Sequence, residues 1–245
     1  MAKEIFDEIL DTFENENTKE FAKKVIDAAP KYFYEVPASS SLKFHPAYAC
    51  TVPLGLAKHT VALLRILNHM FGVESIASQF TSNERDLLRI AGIAHDMMKS
   101  GTQEDYEKNK YTKFDHPILA AKMIQSIDGL SKEEKIFIGK AICSHMGQWN
   151  TDKRHPDITL PKPSDKYQII LHLADYLASR KDIEIKFDNL PEVKVELPDI
   201  NTYKLPFGKH KGKTLPEIKA ADPGYIHWAK ENMDKEPARS LLKQL

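Results

Sequence analysis

The stretch Leu88-Arg-Ile-Ala-Gly-Ile-Ala-His-Asp-Met-Met-Lys99 decides the fold. Its apolar spacing predicts a helix that places Leu88, Ala91, His95 and Met98 on one face, and Thr81 with Glu84 three residues on has the capping-box form that would open it. His95 and Asp96 sit inside this apolar text. An ionised carboxylate there is costly unless it is paired or bound to a metal. About 100° apart around a helix, a neutral imidazole and a carboxylate can both reach one divalent ion lying over its surface. The pair alone also fits a helix-facing histidine beside a solvated aspartate.

Outward from this segment the chain reads as mostly α. Residues 4 to 13 and 18 to 29 have helical spacing, with Pro30 closing the second stretch, and residues 34 to 53, with three prolines, read as an irregular connection. A helix from Leu56 to about Phe71 carries His59 on the face of Leu63 and Ile66. Asp115 followed by Pro117 starts another, and Ser131 with Glu134 caps one that ends its Ile138, Ala141, Ile142 stripe at His145. A last core helix from near Ser164 to about Arg180 embeds Asp175 in Ile-Ile-Leu-His-Leu-Ala-Asp-Tyr-Leu-Ala. Beyond it, 183 to 197 reads as a short strand or extended linker. Several unpaired polar groups in one core would be expensive, and a shared metal cluster relieves all of them at once.

The order His59, His95-Asp96, His116, His145, Asp175 resembles the HD superfamily of metal-dependent phosphohydrolases over about residues 40 to 185. The likeness extends to Gly-Leu-Ala-Lys-His-Thr around His59, Asp-His-Pro-Ile-Leu-Ala-Ala from 115, Ser-His-Met-Gly at 144 and Ala-Asp-Tyr-Leu-Ala-Ser-Arg-Lys from 174. It implies an HD helical bundle in which His59, His95, Asp96 and Asp175 bind one metal while Asp96 bridges to a second held by His116 and His145. Two divalent ions are therefore expected, and oxygen and imidazole ligands suit manganese, iron, nickel, cobalt or zinc. The implied chemistry is phosphoester hydrolysis. Asp96 and Lys99 are its catalytic candidates, Lys99 lying three residues on along nearly the same helix face, where its ammonium can hold a phosphate.

Weaker readings surround this set. Arg180 and Lys181 either contact phosphate or complement a helix C-terminus. His172 reads as a packed histidine or one that supports a ligand. His45, in Phe-His-Pro-Ala-Tyr, resembles a segment of HD-type 3′-to-5′ exoribonucleases and is a substrate-rim candidate, while Gln148 and Trp149 are candidates for a base, or simply packing. The polar stretch Gly101 to Lys113 is long enough for a lid, with Tyr106, Lys110 and Tyr111 as contacts.

Composition bounds the rest. Formal net charge is zero, which excludes wholesale attraction to nucleic acid or anionic membrane. Residues 201 to 245 nevertheless hold nine Lys/Arg against five Asp/Glu, so the tail is basic while the body is acidic. The organisation expected is a phosphohydrolase domain over 1–200 and a small basic α+β module over 201–245. Within it, Pro206-Phe-Gly-Lys-His-Lys-Gly-Lys-Thr-Leu-Pro-Glu-Ile, followed by Ala-Asp-Pro-Gly-Tyr-Ile-His-Trp228, resembles the C-terminal module of exodeoxyribonuclease X-like enzymes. Lys204, Lys209, Lys211 and Lys213 become candidates for nucleic-acid phosphates; a docking hairpin with solvated lysines explains them equally. The acidic N-terminus lacks a secretory pattern, no run suits a membrane span, and Cys50 and Cys143 have no metal or disulfide spacing, so a cytoplasmic protein is expected.

Two departures narrow the resemblance. The chain lacks the Gly-Tyr-Pro signature of the cyclic-dinucleotide branch, and Met146 stands where several relatives have a second histidine. The short sequence before His59 leaves the basic tail as the candidate nucleic-acid holder. A nuclease or phosphodiesterase on single-stranded nucleic acid is therefore the leading expectation, ahead of a nucleotidase and of a non-catalytic, metal-stabilised binding or regulatory protein.

Overall fold

A computed structural model describes residues 2–39, 45–181, 197–233 and 237–245. After a short 3₁₀ turn at Ala2–Phe6 come α1 (Asp7–Leu10), α2 (Glu16–Ala28), α3 (Gly55–Phe71), α4 (Glu74–Ala77), α5 (Ser82–Ala94) and α6 (Gln103–Lys108). Then follow α7 (His116–Ser126), α8 (Lys132–Ser144), α9 (Lys166–Ala178), α10 (Leu215–Ala221), α11 (Pro223–Asn232) and α12 (Ala238–Leu242). Among the described residues no strand forms, and β pairing is confined to two antiparallel bridges, Thr151 with Thr159 and Lys204 with Thr214. The expected strand or linker at 183 to 197 lies outside the described residues, Leu197 apart. Among the described residues no helix is long and apolar enough to cross a membrane.

Helix ends follow local chemistry. Thr81 and Glu84 complete the capping box of α5, with Thr81 N–H donating to Glu84 Oε2 at 2.8 Å and Glu84 N–H to Thr81 Oγ1 at 3.2 Å. Ser131 and Glu134 do the same for α8, and Asp165 caps α9 by accepting from the Gln168 amide. The far end of α5 differs from expectation: the helix stops at Ala94 rather than running through Met98. Met97 N–H bonds to Ala94 O, Lys99 N–H to Asp96 O and Gly101 N–H to Met98 O, so residues 95 to 101 wind in tight turns three residues apart.

Packing draws these ends together. α5 is the central helix and meets α2, α3, α8 and α9, while α3 also packs on α9 and α7 on α8. Gly92 permits the approach of α3 to α5, since a Cβ there would lie 2.9 Å from Leu64 Cδ2 and 3.0 Å from Leu63 Cδ2. Leu63, Leu64, Leu88, Ile90 and Ile93 are fully buried between these helices. Burying each such side chain is worth about 1.5–3 kcal/mol, against the entropy of ordering it. At the opposite end of α5, Asp86 is fully buried and accepts from the Glu14 and Asn15 amides, the Thr18 hydroxyl and Arg89, tying α2 to the central helix.

The tail has its own apolar cluster, built on Leu205, Leu215, Ile218, Ile226, Ala229, Leu241 and Leu242. Its expected hairpin amounts to one bridge, around a turn in which Gly208 and Gly212 have φ of 76° and 84°. A Thr214–Glu217 capping box then opens α10.

Candidate metal centre

Five of the six residues expected to bind metal are buried to within a few per cent, and Asp175 alone is partly open, with 19% of its side chain exposed. His59 comes from α3, His95 and Asp96 from the turn that ends α5, His116 from the start of α7, His145 from the end of α8 and Asp175 from α9. Two triads could each hold an ion: His59, His95 and Asp96, and Asp96, His116 and His145. Asp96 belongs to both. Its Oδ2 lies 3.7 Å from His95 Nε2, and its Oδ1 lies 2.9 Å from His116 Nε2 and 3.7 Å from His145 Nε2. Asp175 Oδ1 closes the first side, 3.0 Å from His59 Nε2 and 3.7 Å from His95 Nε2.

Three of the rings are aimed by the main chain. His95 Nδ1 lies 2.7 Å from Gly92 O, His116 Nδ1 2.7 Å from Lys113 O, and His145 Nδ1 2.7 Å from Ile142 O. A carbonyl accepts only, so Nδ1 carries the hydrogen and Nε2 presents its lone pair. Nε2 of His95 and of His116 and Nδ1 of His59 are buried without a hydrogen-bond partner. Orphaned buried acceptors are expensive. Divalent ions would satisfy the Nε2 atoms of His95 and His116, and imidazole and carboxylate donors without thiolates fit such ions. His172 supports the arrangement by bonding through Nδ1 to His145 O at 2.7 Å. Gly147, with φ 57°, makes room for it, because a Cβ there would lie 2.1 Å from the His172 ring.

The protonation states suit cation binding. Burial drives the Asp96 carboxyl upward, but the Lys99 ammonium, then His95 and His116, outweigh it and hold it well below the usual carboxylate range. Asp175 is likewise pulled down against its burial, chiefly by His59 and His95. Burial, reinforced by the neighbouring His95 ring, lowers His145 to about 3, and burial lowers His95. Those two imidazoles are therefore neutral at pH 7.

A cavity of about 470 Å³ covers the centre, lined by His59, Asp96, His116, His145 and Asp175 together with His45, Lys99, Thr112, Trp149 and Arg180. Lys99 Nζ lies 2.6 Å from Asp96 Oδ2. His45 is lowered to about 4 by burial, then by His59, so it enters as a neutral ring. The Arg180 guanidinium lies 4.5 Å over the Tyr176 ring, and Trp149 stacks on the same ring at 6.0 Å.

Gln148 and Lys181 are exposed and do not line this cavity. Of the lid candidates, Tyr106 stacks on Tyr32 at 4.7 Å, Lys110 sits over Tyr106, and Tyr111 is 77% exposed. The residue of that stretch on the cavity wall is Thr112, which sequence reasoning missed along with Ser179 and the Tyr176 platform, while Met146, noted for standing where relatives have a second histidine, also lines it. The four-residue spacing of Tyr176 and Arg180, which suits a cation over a ring on one helix face, is a signal that could have found the platform. In the tail, Lys204, Lys209, Lys211 and Lys213 are exposed; Lys209 pairs with Asp222 at 2.9 Å, and Trp228 stands 51% exposed beside Tyr225.

Helices thus converge on buried histidines and aspartates that could hold metal ions. The HD domain family model matches residues 66–180, and the exodeoxyribonuclease X-like C-terminal model matches residues 205–234. The chain thus contains an HD domain, which implies a metal-dependent phosphohydrolase, and an exodeoxyribonuclease X-like C-terminal module. No curated protein and no solved structure matched it. His59 lies just before the first match, and the packing of α3 on α5 brings it to the centre.

Proposed function

We propose that this chain is a two-metal phosphodiesterase that acts as a nuclease on single-stranded nucleic acid. The observation that carries the reading is the division of the Asp96 carboxylate, one oxygen toward His95 and the other toward His116 and His145, inside a cavity that also presents Lys99 and Arg180. His59, His95, Asp96 and Asp175 would hold one divalent ion and Asp96, His116 and His145 the other, the ions being manganese, iron, nickel, cobalt or zinc. Bound there, such ions supply Lewis acidity toward a phosphoryl oxygen.

The chain's own groups do the rest. Lys99 holds a non-bridging phosphate oxygen and keeps Asp96 ionised. Arg180, braced on Tyr176, meets a second phosphate oxygen, and its buried, unpartnered Nε marks a donor in need of an acceptor. Trp149 offers a base its free face, and neutral His45 offers a rim contact. The domain boundary falls near residue 200, and the tail's exposed lysines with Trp228 track a strand without reading its sequence. A nucleotidase is the second reading, favoured by one observation: a cavity of about 470 Å³ also accommodates a single nucleotide.

The test incubates the manganese-loaded protein with single-stranded RNA, single-stranded DNA, mononucleotides and cyclic dinucleotides, beside an Asp96→Ala variant. Strand cleavage is expected, with the variant below about one hundredth of the wild-type rate. Turnover of mononucleotides alone selects the nucleotidase, turnover of nothing with any metal overturns both readings, and cleavage that survives Asp96→Ala overturns the assignment of the centre.

A further inference from the structure

A second cavity, of about 540 Å³, opens beside the catalytic one. The two share Thr112, His116, Met146 and Trp149 as a common wall, and of the metal-centre residues only His116 reaches the second. Phe114 and Trp149 make it aromatic, and its rim carries Lys113, Lys153 and Arg154 against a single carboxylate, Asp152. Lys113 is paired with Asp105 at 3.0 Å and Arg154 with Asp152 at 2.7 Å. Lys153 is exposed and has no ion pair among the described residues.

We propose that this cavity is a nucleotide subsite on the His116 side of the scissile phosphate. The chain then recognises a phosphodiester flanked by nucleosides on both sides, not a phosphomonoester. This rests on the phosphoester reading above. With phosphorus over Asp96 and Lys99, a mononucleotide fills the catalytic cavity, from His45 and Arg180 to Trp149, and leaves the second empty. A strand must continue past His116. What it meets there is the exposed Trp149 ring, on which any base can stack, with buried Phe114, itself stacked on His155, as apolar lining, and a cationic rim suited to the next phosphate. Trp149, 47% exposed and backed by Tyr176, stands at the junction. One water is consumed per bond: its oxygen joins phosphorus, the ester P–O bond breaks, and the released oxygen takes up a proton.

The test compares a single-stranded trinucleotide with thymidine 5′-p-nitrophenyl phosphate, which has one nucleoside, on the manganese-loaded full chain. Lys153→Glu should lower the ratio of kcat/KM for trinucleotide over aryl ester about tenfold, mainly through KM, and Lys153→Arg should restore it. An unchanged ratio overturns the subsite. Should the wild type hydrolyse neither compound, the phosphoester reading fails on its own. Calorimetric titration of the trinucleotide into the metal-free chain then decides the subsite: about tenfold weaker binding to Lys153→Glu supports it, and equal affinity overturns it.

Discussion

The clearest signal in the sequence was a polar residue where a core helix should be apolar, and the structure explains why it could be read. His95, Asp96, His116 and His145 are each buried, and no ordinary core position justifies three imidazoles at 2.9 to 3.7 Å from one carboxylate. Thr112, Ser179 and Tyr176 gave no comparable signal. Each is a residue type at home on a surface, and only the closure of distant segments around the centre places them on its wall or beneath it. His172 stands between these cases, readable as a supporting histidine and found bonded to the His145 carbonyl. Replacing it by phenylalanine removes that bond, and manganese affinity measured by calorimetry should fall about 10–100-fold. An affinity within twofold of wild type would show that His145 needs no such brace.

Among elements, α5 links two kinds of buried polar chemistry. Its first half carries Asp86 and Arg89, paired at 2.7 Å with both side chains buried, and its last turn delivers His95 and Asp96. Asp86→Ala strands a buried guanidinium, with Glu14 at 3.6 Å as a partial substitute, and should cost about 3–5 kcal/mol in urea unfolding. A cost under about 1 kcal/mol would mean that Glu14 takes over. The start of this helix was legible in Thr81 and Glu84, because a capping box is a local bargain between two side chains and two amides. Its end was not. Apolar periodicity continues through Met98, whereas the backbone turns at His95, beyond which the amides of Met97, Lys99 and Gly101 each bond three residues back. The tail repeats the lesson: a hairpin was one reading of its lysine-rich stretch, but whether the flanks pair as strands depends on contacts that spacing does not record, and among the described residues of the tail only Lys204 and Thr214 bridge.

At the scale of the whole molecule, two apolar clusters with no shared members divide the labour. One positions the metal centre. The other presents Lys204, Lys211 and Lys213, which the charge count had singled out as a basic tail. Charge asymmetry survives folding as exposure, which is why it was readable, whereas the partner of those lysines leaves no trace in composition. If they meet phosphates of a single strand, replacing all three by alanine in the full chain should flatten the plot of log affinity against log salt by about two units of slope. Filter binding of single-stranded DNA to the chain in chelator measures this without turnover. An unaltered slope would assign the lysines to solvent.

Three of the histidines proposed as ligands take their aim from a carbonyl three residues earlier in the same chain, where a helix has just ended or is about to begin. If divalent ions bind there as proposed, their address is written in the main chain, and it is copied whenever the helices are. Side chains on the cavity wall are free of that duty. They can be exchanged to suit one phosphoester or another while the ligands stay in register, so a single bundle can change customers without relearning how to hold its ions.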